Sequence, residues 1–306
     1  MPLDLSAPWE RQGWLRSTSA WIEEQLGDLG YLRTAPIQVV KSSGISCILR
    51  VPTDSGDLYL KESLRTLTCC DESTVVPGLG ALYPEHIPHV VATDGGRILL
   101  RDFGQPIGTA LSDVWKDVFT TFGRIQLDAT RHIDELLTIG CRDSDASQLA
   151  ERIVAMAPDT EDGQSLSRLA RTLEEMSSEL YGHRVPRSLV HGDLHLANVA
   201  KCGGDYIFFD WTDCSVSHPF LDVAYVFAEN ARDEKECRDA YLALWTDYEP
   251  RDRLMRMWSL AEPLSALHQA FTYQETASYL AEPARSEFLV GVTYFVRQLL
   301  KSAVLQ

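Results

Sequence analysis

The sequence is short of cations. Its 306 residues carry 28 Lys and Arg against 44 Asp and Glu, a formal net charge of −16 at pH 7. Affinity for a nucleic-acid backbone comes mainly from clustered cations that release counterions. Attraction to an anionic membrane surface has the same source. Neither partner is expected. Long apolar runs are missing too: the stretch from Phe288 to Val296 is followed by Arg297, and is about half of what a membrane span needs. Cysteine is present without a pairing pattern. Cys47, Cys69, Cys70, Cys141, Cys202, Cys214 and Cys237 are odd in number and hold no Cys-x-x-Cys spacing, which fits neither a disulfide framework nor a thiolate zinc site. Residues 1–6 show no basic region leading into an apolar one, so no secretory signal is read and a reduced, cytoplasmic setting is expected.

What remains is ordinary globular material, 45% hydrophobic and 24% charged, able to bury a sizeable core. At roughly 150 residues per domain the length fits two. The pattern changes near residue 105. Before it, Trp14, Trp21, Ile22 and Leu26 recur at helical spacing and Gly27 and Gly30 punctuate the end. Ile37–Lys41, Cys47–Pro52 and Leu58–Lys61 are short β-prone runs joined by turn sequences, predicting three antiparallel strands. A helix over about 70–82 and strands near 88–92 and 97–101 complete a small α+β unit. After Gly104 the spacing turns helical over 112–139, 146–157, 164–182, 219–247, 251–280 and 283–304. One island interrupts it, from about 188 to 215, with a β-prone run at Tyr206–Phe209.

That island carries the chemistry. His191-Gly192-Asp193-Leu194-His195-Leu196-Ala197-Asn198 is followed by Phe208-Phe209-Asp210. Three polar groups, Asp193, Asn198 and Asp210, sit among apolar neighbours. Phosphoryl transfer needs that inventory: a carboxylate to orient the attacking hydroxyl, and hard oxygen ligands to hold Mg²⁺ against nucleotide phosphates. Asp and Asn also serve turns for purely conformational reasons. A third alternative places His191, Asp193 and His195 on one strand face as ligands of a metal-dependent hydrolase, although the other histidines form no second cluster.

The motif His-Gly-Asp-x-x-x-x-Asn followed by apolar-apolar-Asp closely resembles the aminoglycoside phosphotransferase family, which includes choline kinases. The resemblance implies a protein-kinase-like bilobal α+β fold, with a nucleotide lobe over 1–103 and a helical acceptor lobe over 104–306. It implies Asp193 as catalytic base, Asn198 and Asp210 as Mg²⁺ ligands, and ATP or GTP as donor to a small hydroxyl-bearing substrate. Within His218-Pro219-Phe220-Leu221-Asp222 it implies that Asp222 anchors the catalytic loop, with His191 also supporting it.

In such a fold the N-terminal strands supply a phosphate-binding lysine. Lys61, at the end of the third predicted strand, fits. Its acidic partner is expected to be Glu72, on the face of Val75, Val76 and Leu79, since Glu62 points to the opposite side of the strand. Pro77 and Gly78 threaten to cut that helix short. Ser42-Ser43-Gly44-Ile45-Ser46 stands where phosphates would be covered, with Ser43 and Ser46 as hydroxyl donors. Asp102-Phe103-Gly104 precedes Asp193 by about ninety residues, whereas the kinase metal motif must follow the catalytic loop. Leu100, Arg101 and Asp102 therefore read as the linker that meets the base.

The acceptor is less legible. Glu262, Ser265, His268, Thr272 and Glu275 form a polar stripe at helical spacing beside Leu260, Leu264, Leu267 and Phe271. The stripe is ordinarily a solvated face; the functional alternative is an acceptor wall of Glu262, His268 and Glu275 with Asp213 near the metal. A cationic alcohol such as an aminoglycoside or a choline-like amine suits an acidic cleft, while sugars and amino acids stay open. Between Asp210 and His218 there is no room for a peptide-docking loop. A nucleotide-binding pseudokinase, acting as sensor or scaffold, is the alternative of a different class. Oligomeric state is not read.

Overall fold

Period-two alternation builds the N-terminal sheet. Strands β1 (Gln38–Ser42), β2 (Ser46–Thr53), β3 (Gly56–Ser63), β4 (Val90–Asp94) and β5 (Arg97–Arg101) pair antiparallel in the order β1-β2-β3-β5-β4. Leu49, Val51, Leu58, Leu60 and Leu99 point to one face, where they bury Trp14, Ile22 and Leu26 of helix α1 (Trp14–Leu29). The alternate residues of β5, Ile98 and Leu100, belong to a second core that continues through the helical lobe. Glu62 lies on the α1 side, buried, accepting from Trp14 Nε1 at 2.9 Å and Arg97 Nε at 2.7 Å. Lys61, one residue earlier, faces the other lobe, as alternation requires. The computed structural model describes residues 7–64, 70–108, 114–144, 149–157, 162–222 and 234–304. Cys69 and the middle of the predicted 219–247 helix lie outside those residues.

Pro77 does not cut its helix. Helix α2 runs from Glu72 to Leu82 with Pro77 inside it, and Asp71 caps it by accepting from Ser73 N at 2.9 Å. Burial holds it together: Val75, Val76 and Leu79 are all sunk in the shared core. Gly78 is there for close approach, since a Cβ at that position would stand 2.7 Å from Ile139 Cγ2.

The second lobe contains helices α3 (Trp115–Ala129), α4 (Ile133–Thr138), α5 (Leu149–Met156), α6 (Gly163–Tyr181), α7 (Glu234–Ala243), α8 (Arg251–Ser278) and α9 (Ala284–Val304). The predicted 112–139 run is thus two helices, parted at residues 130–132. Strands β6 (Arg142–Asp143), β7 (Ser188–Val190) and β10 (Ser215–Ser217) make a small sheet in the order β6-β10-β7, while β8 (Val199–Cys202) and β9 (Asp205–Phe208) form a hairpin. The polar stripe of α8 is not a solvated face. Leu260, Leu264, Leu267 and Phe271 are buried, and so are Ser265, Gln269 and Thr272, because α8 is covered by other helices on more than one side. Among the described residues no helix is long and apolar enough to cross a membrane.

Candidate active site between the lobes

The loop from His191 to Asn198 is held by buried hydrogen bonds that arrive from distant segments. Asp222 accepts from His191 N at 2.6 Å, Gly192 N at 2.8 Å and Gln126 Nε2 at 3.3 Å. Desolvation pushes its carboxyl up to about 7 against those donors. Gln126 also donates to Leu189 O at 3.0 Å and Pro219 O at 3.2 Å and accepts from Tyr241 Oη at 2.5 Å. Gln269 of α8 donates to Gly192 O. His191 Nε2 meets Phe209 O at 3.0 Å, and its Nδ1 accepts from Asp193 N at 3.3 Å. At the end of the loop Asn198 Nδ2 donates to Asp193 O at 2.9 Å and to Asp193 Oδ2 at 3.1 Å. His195 Nε2 lies 3.4 Å from the same Oδ2, while its Nδ1 accepts from Ala197 N at 3.2 Å and caps the turn before Asn198.

Gly192 is required twice over. Its φ is +86°, and a Cβ there would stand 2.2 Å from Asp213 O. Left-handed backbone costs a non-glycine residue roughly 1–2 kcal/mol, and a backbone atom cannot swing aside. Gly203, in the β8–β9 turn, has φ +64° and nothing within 4 Å of its would-be Cβ. Gly192→Ala is therefore expected to lower the urea midpoint well beyond Gly203→Ala, whose loss is about 1 kcal/mol. Equal losses would contradict the close approach.

The other half of the site crosses the lobes. Lys61 Nζ forms an ion pair with Asp210 Oδ1 at 2.6 Å and a second with Glu72 Oε2. Glu72 Oε1 accepts from Trp211 N at 3.0 Å, so one carboxylate ties the lysine to the segment that follows Asp210. Burial works against the charge on Lys61, but Asp210 and Glu72 outweigh it and hold its pKa above the usual lysine range. Burial likewise opposes the charge on Asp210, and Lys61 and Thr212 reverse that, keeping it an anion. Asp210 has φ +66°, a conformation Asp tolerates better than most residues.

The remaining predicted residues fall into three places. Ser43 accepts at its hydroxyl from Ile45 N at 3.4 Å and Ser46 N at 3.2 Å, so the β1–β2 turn satisfies its own donors. Its tip lies against the second lobe: a Cβ on Gly44 would stand 2.5 Å from Ala284 Cβ. In the linker, Leu100 pairs within the sheet, Arg101 N donates to His89 O at 3.0 Å and Asp102 N to Asp57 O at 3.2 Å. Those N–H groups are spent inside the N-terminal lobe; the next N–H along is that of Phe103. Phe103 packs on Phe209 with ring centroids 5.0 Å apart.

The predicted acceptor wall is not assembled as expected. Glu262 accepts from Trp258 Nε1 at 3.0 Å, one turn up its own helix. Glu275 pairs with Arg142 Nη1 at 2.7 Å. His268 lines a small cavity of about 40 Å³ with Arg152, Ser177 and Ser217, and desolvation lowers its imidazole to about 4. The α8 residues that do bear on the loop are Gln269 and Tyr273. Burial first, then the charges of Asp193 and Asp213, push the Tyr273 phenol up to about 12, placing Asp213 and Asp193 in one acidic neighbourhood.

The donor chemistry suits Mg²⁺. Asn198 spends its Nδ2 on Asp193, leaving its amide oxygen as a hard ligand. Asp210 spends Oδ1 on Lys61 and Thr212, leaving Oδ2 on a side chain 39% exposed. Magnesium commonly takes one or two protein oxygens and fills its shell with phosphates and water. The hydrolase alternative loses its premise. Residues 191–195 are loop rather than strand, both ring nitrogens of His191 are occupied, and no group of three or more His, Cys, Asp and Glu among the described residues is arranged around a metal position.

His218 gives the site's framework an acid-sensitive point. It is buried beside the Tyr181 ring at 5.6 Å, and burial, aided by His183, depresses it to about 3. An unfolded histidine protonates near 6.5. A depressed folded pKa therefore adds stability that is complete above 6.5 and is lost as pH falls toward 3. At pH 5 the loss is about 2 kcal/mol. His218→Asn keeps an acceptor for Phe220 N and removes the titration; its stability is expected to fall about 2 kcal/mol less than wild type between pH 7 and pH 5, read by urea unfolding. Parallel losses would contradict the assignment.

Residues 127–255 match the family model described as the phosphotransferase enzyme family, APH. No protein with a curated description matches the sequence. Among solved structures, choline kinase LicA from Streptococcus pneumoniae is 14% identical with a TM-score of 0.61, covering 93% of this chain and 99% of that one. The GDP complex of aminoglycoside 2'-phosphotransferase-IIIa is 14% identical with a TM-score of 0.61, covering 93% and 98%. An ethanolamine kinase from Plasmodium vivax is 13% identical with a TM-score of 0.60, covering 88% and 81%. Identities this low carry the fold alone, and the family match, which covers less than half of the chain, spans residues 191–198 and Asp210. The chain has the fold of these structures, and its residues 127–255 are similar to the phosphotransferase enzyme family.

Proposed function

We propose that the chain moves the γ-phosphoryl group of ATP or GTP to a hydroxyl of a small molecule in the cleft between its lobes, residues 1–103 supplying the nucleotide side and 104–306 the acceptor side. The observation that carries the reading is the ion-paired set Lys61, Glu72 and Asp210, joined across the lobes and linked through His191 and Phe209 to the loop that presents Asp193. Lys61 would hold donor phosphates, with Glu72 keeping its ammonium in place. Asp193 would accept the hydrogen bond of the acceptor hydroxyl and take its proton as the P–O bond forms; His195 and Asn198 fix the carboxylate. Asn198 and Asp210 would hold Mg²⁺, which when bound neutralises phosphate charge.

The acceptor we favour is a cationic alcohol. The charges of Asp193 and Asp213 act on the half-buried phenol of Tyr273, an acidic and aromatic surround that attracts an ammonium group. Labelled ATP and GTP offered with amino-alcohols, aminoglycosides, sugars and nucleosides test the reading. Mg²⁺-dependent transfer to an amine-bearing alcohol is expected. Tight nucleotide binding with transfer to none of the panel would contradict it and favour the sensor.

A further inference from the structure

We propose that Cys70 and Cys214 are an oxidative modification site, forming a disulfide that fastens the nucleotide lobe to the catalytic lobe. Three thiols of distant sequence meet there. Cys70 Sγ donates to Cys214 O at 2.9 Å, and Cys214 Sγ donates to Cys141 Sγ at 3.8 Å. Cys214 thus meets both of the others, Cys70 through its carbonyl and Cys141 through its thiol. The backbone is already fastened at this point, because Cys70 N donates to Thr212 O at 2.8 Å. The thiols form no part of the phosphoryl-transfer set.

Cys70 is the member that an oxidant meets first. It is 9% exposed, against 4% for Cys141 and none for Cys214. The Cys214 side chain, and then the backbone N–H and charge of Arg142, overcome burial and draw the Cys70 thiol below the ordinary range, which favours the reactive thiolate. With hydrogen peroxide the balance closes. The Cys70 thiolate attacks one peroxide oxygen, giving a sulfenic acid and hydroxide. The Cys214 sulfur then attacks the Cys70 sulfur, the S–S bond forms and the sulfenic oxygen leaves as water. Two thiols become one disulfide and one peroxide becomes two waters. A reducing thiol reverses the change by exchange.

The position gives the bond a consequence. Cys70 lies two residues before Glu72, and Cys214 four residues after Asp210. A covalent tie would fix the start of α2 against the Asp210 segment and restrict opening of the cleft. The cross-link itself does not depend on the proposed activity.

The test treats the reduced full-length protein with hydrogen peroxide under native conditions, blocks remaining thiols and maps unreduced peptides by mass. A Cys70–Cys214 peptide pair, two hydrogens lighter than its parts and split by dithiothreitol, is expected. It should vanish in Cys70→Ser and in Cys214→Ala, the latter keeping the buried position apolar, and persist in Cys202→Ser, which alters an exposed cysteine. A Cys141–Cys214 pair, a pair through Cys69, or oxidation without any cross-link would overturn the assignment.

Discussion

Asp193→Asn is expected to leave nucleotide affinity within a few-fold of wild type while lowering kcat by roughly 10³-fold, in the range that a positioned general base contributes. The substitution keeps the shape of the side chain and one oxygen to accept from Asn198, so the loop should hold. What disappears is the capacity to take a proton from the acceptor hydroxyl. His195 cannot substitute, since its Nδ1 is used to cap the turn at Ala197 and its Nε2 faces the same Asp193 oxygen. Steady-state kinetics with the acceptor found by the panel would show the loss in kcat and not in the nucleotide KM. A kcat within tenfold of wild type would remove Asp193 from the chemistry.

Asp210→Asn is expected to act on the other side of the reaction. Asn tolerates the +66° φ of this position, so the backbone should survive where alanine would be strained. The variant loses a negative charge that faces Lys61 at 2.6 Å and that would face Mg²⁺. Glu72 still holds Lys61, so the lysine should stay charged and near its place. A preorganised electrostatic contact of this kind contributes about 3–4 kcal/mol to a transition state, so kcat should fall by at least ~10²-fold. The Mg²⁺ concentration for half-maximal rate should rise with it. An unaltered Mg²⁺ dependence would exclude Asp210 as ligand.

Much of this arrangement was legible because it follows from local rules. Lys61 and Glu62 are adjacent, and strand alternation alone sends one to the cleft and the other to Trp14. Glu72 was readable because a carboxylate on the apolar face of a short helix needs a cation. The residues that hold the loop were less accessible. Gln126 sits on the buried face of α3 between Phe122 and Ala129, and a polar side chain in that stripe is a usable signal, although its partners lie 63 to 115 positions away. Gln269 was hidden by a wrong premise, that the polar side of α8 meets solvent. A helix buried on several sides has no solvated stripe to set apart, so Glu262, His268 and Glu275 could not be sorted from Gln269 by spacing. Strands of two or three residues such as β6 and β10 are too short for alternation to appear. The spent N–H groups of Arg101 and Asp102 depend on tertiary pairing that no local pattern carries.

One paired measurement separates the proposed roles of Asp193 and Asp210. Nucleotide affinity with and without Mg²⁺, by calorimetry, is set beside γ-phosphoryl transfer for wild type, Asp193→Asn and Asp210→Asn. Asp193→Asn is expected to keep the Mg²⁺-dependent gain in affinity and lose transfer, while Asp210→Asn loses both. Two variants that fail in the same way, or an Asp210→Asn protein that still binds nucleotide more tightly with Mg²⁺, would contradict it.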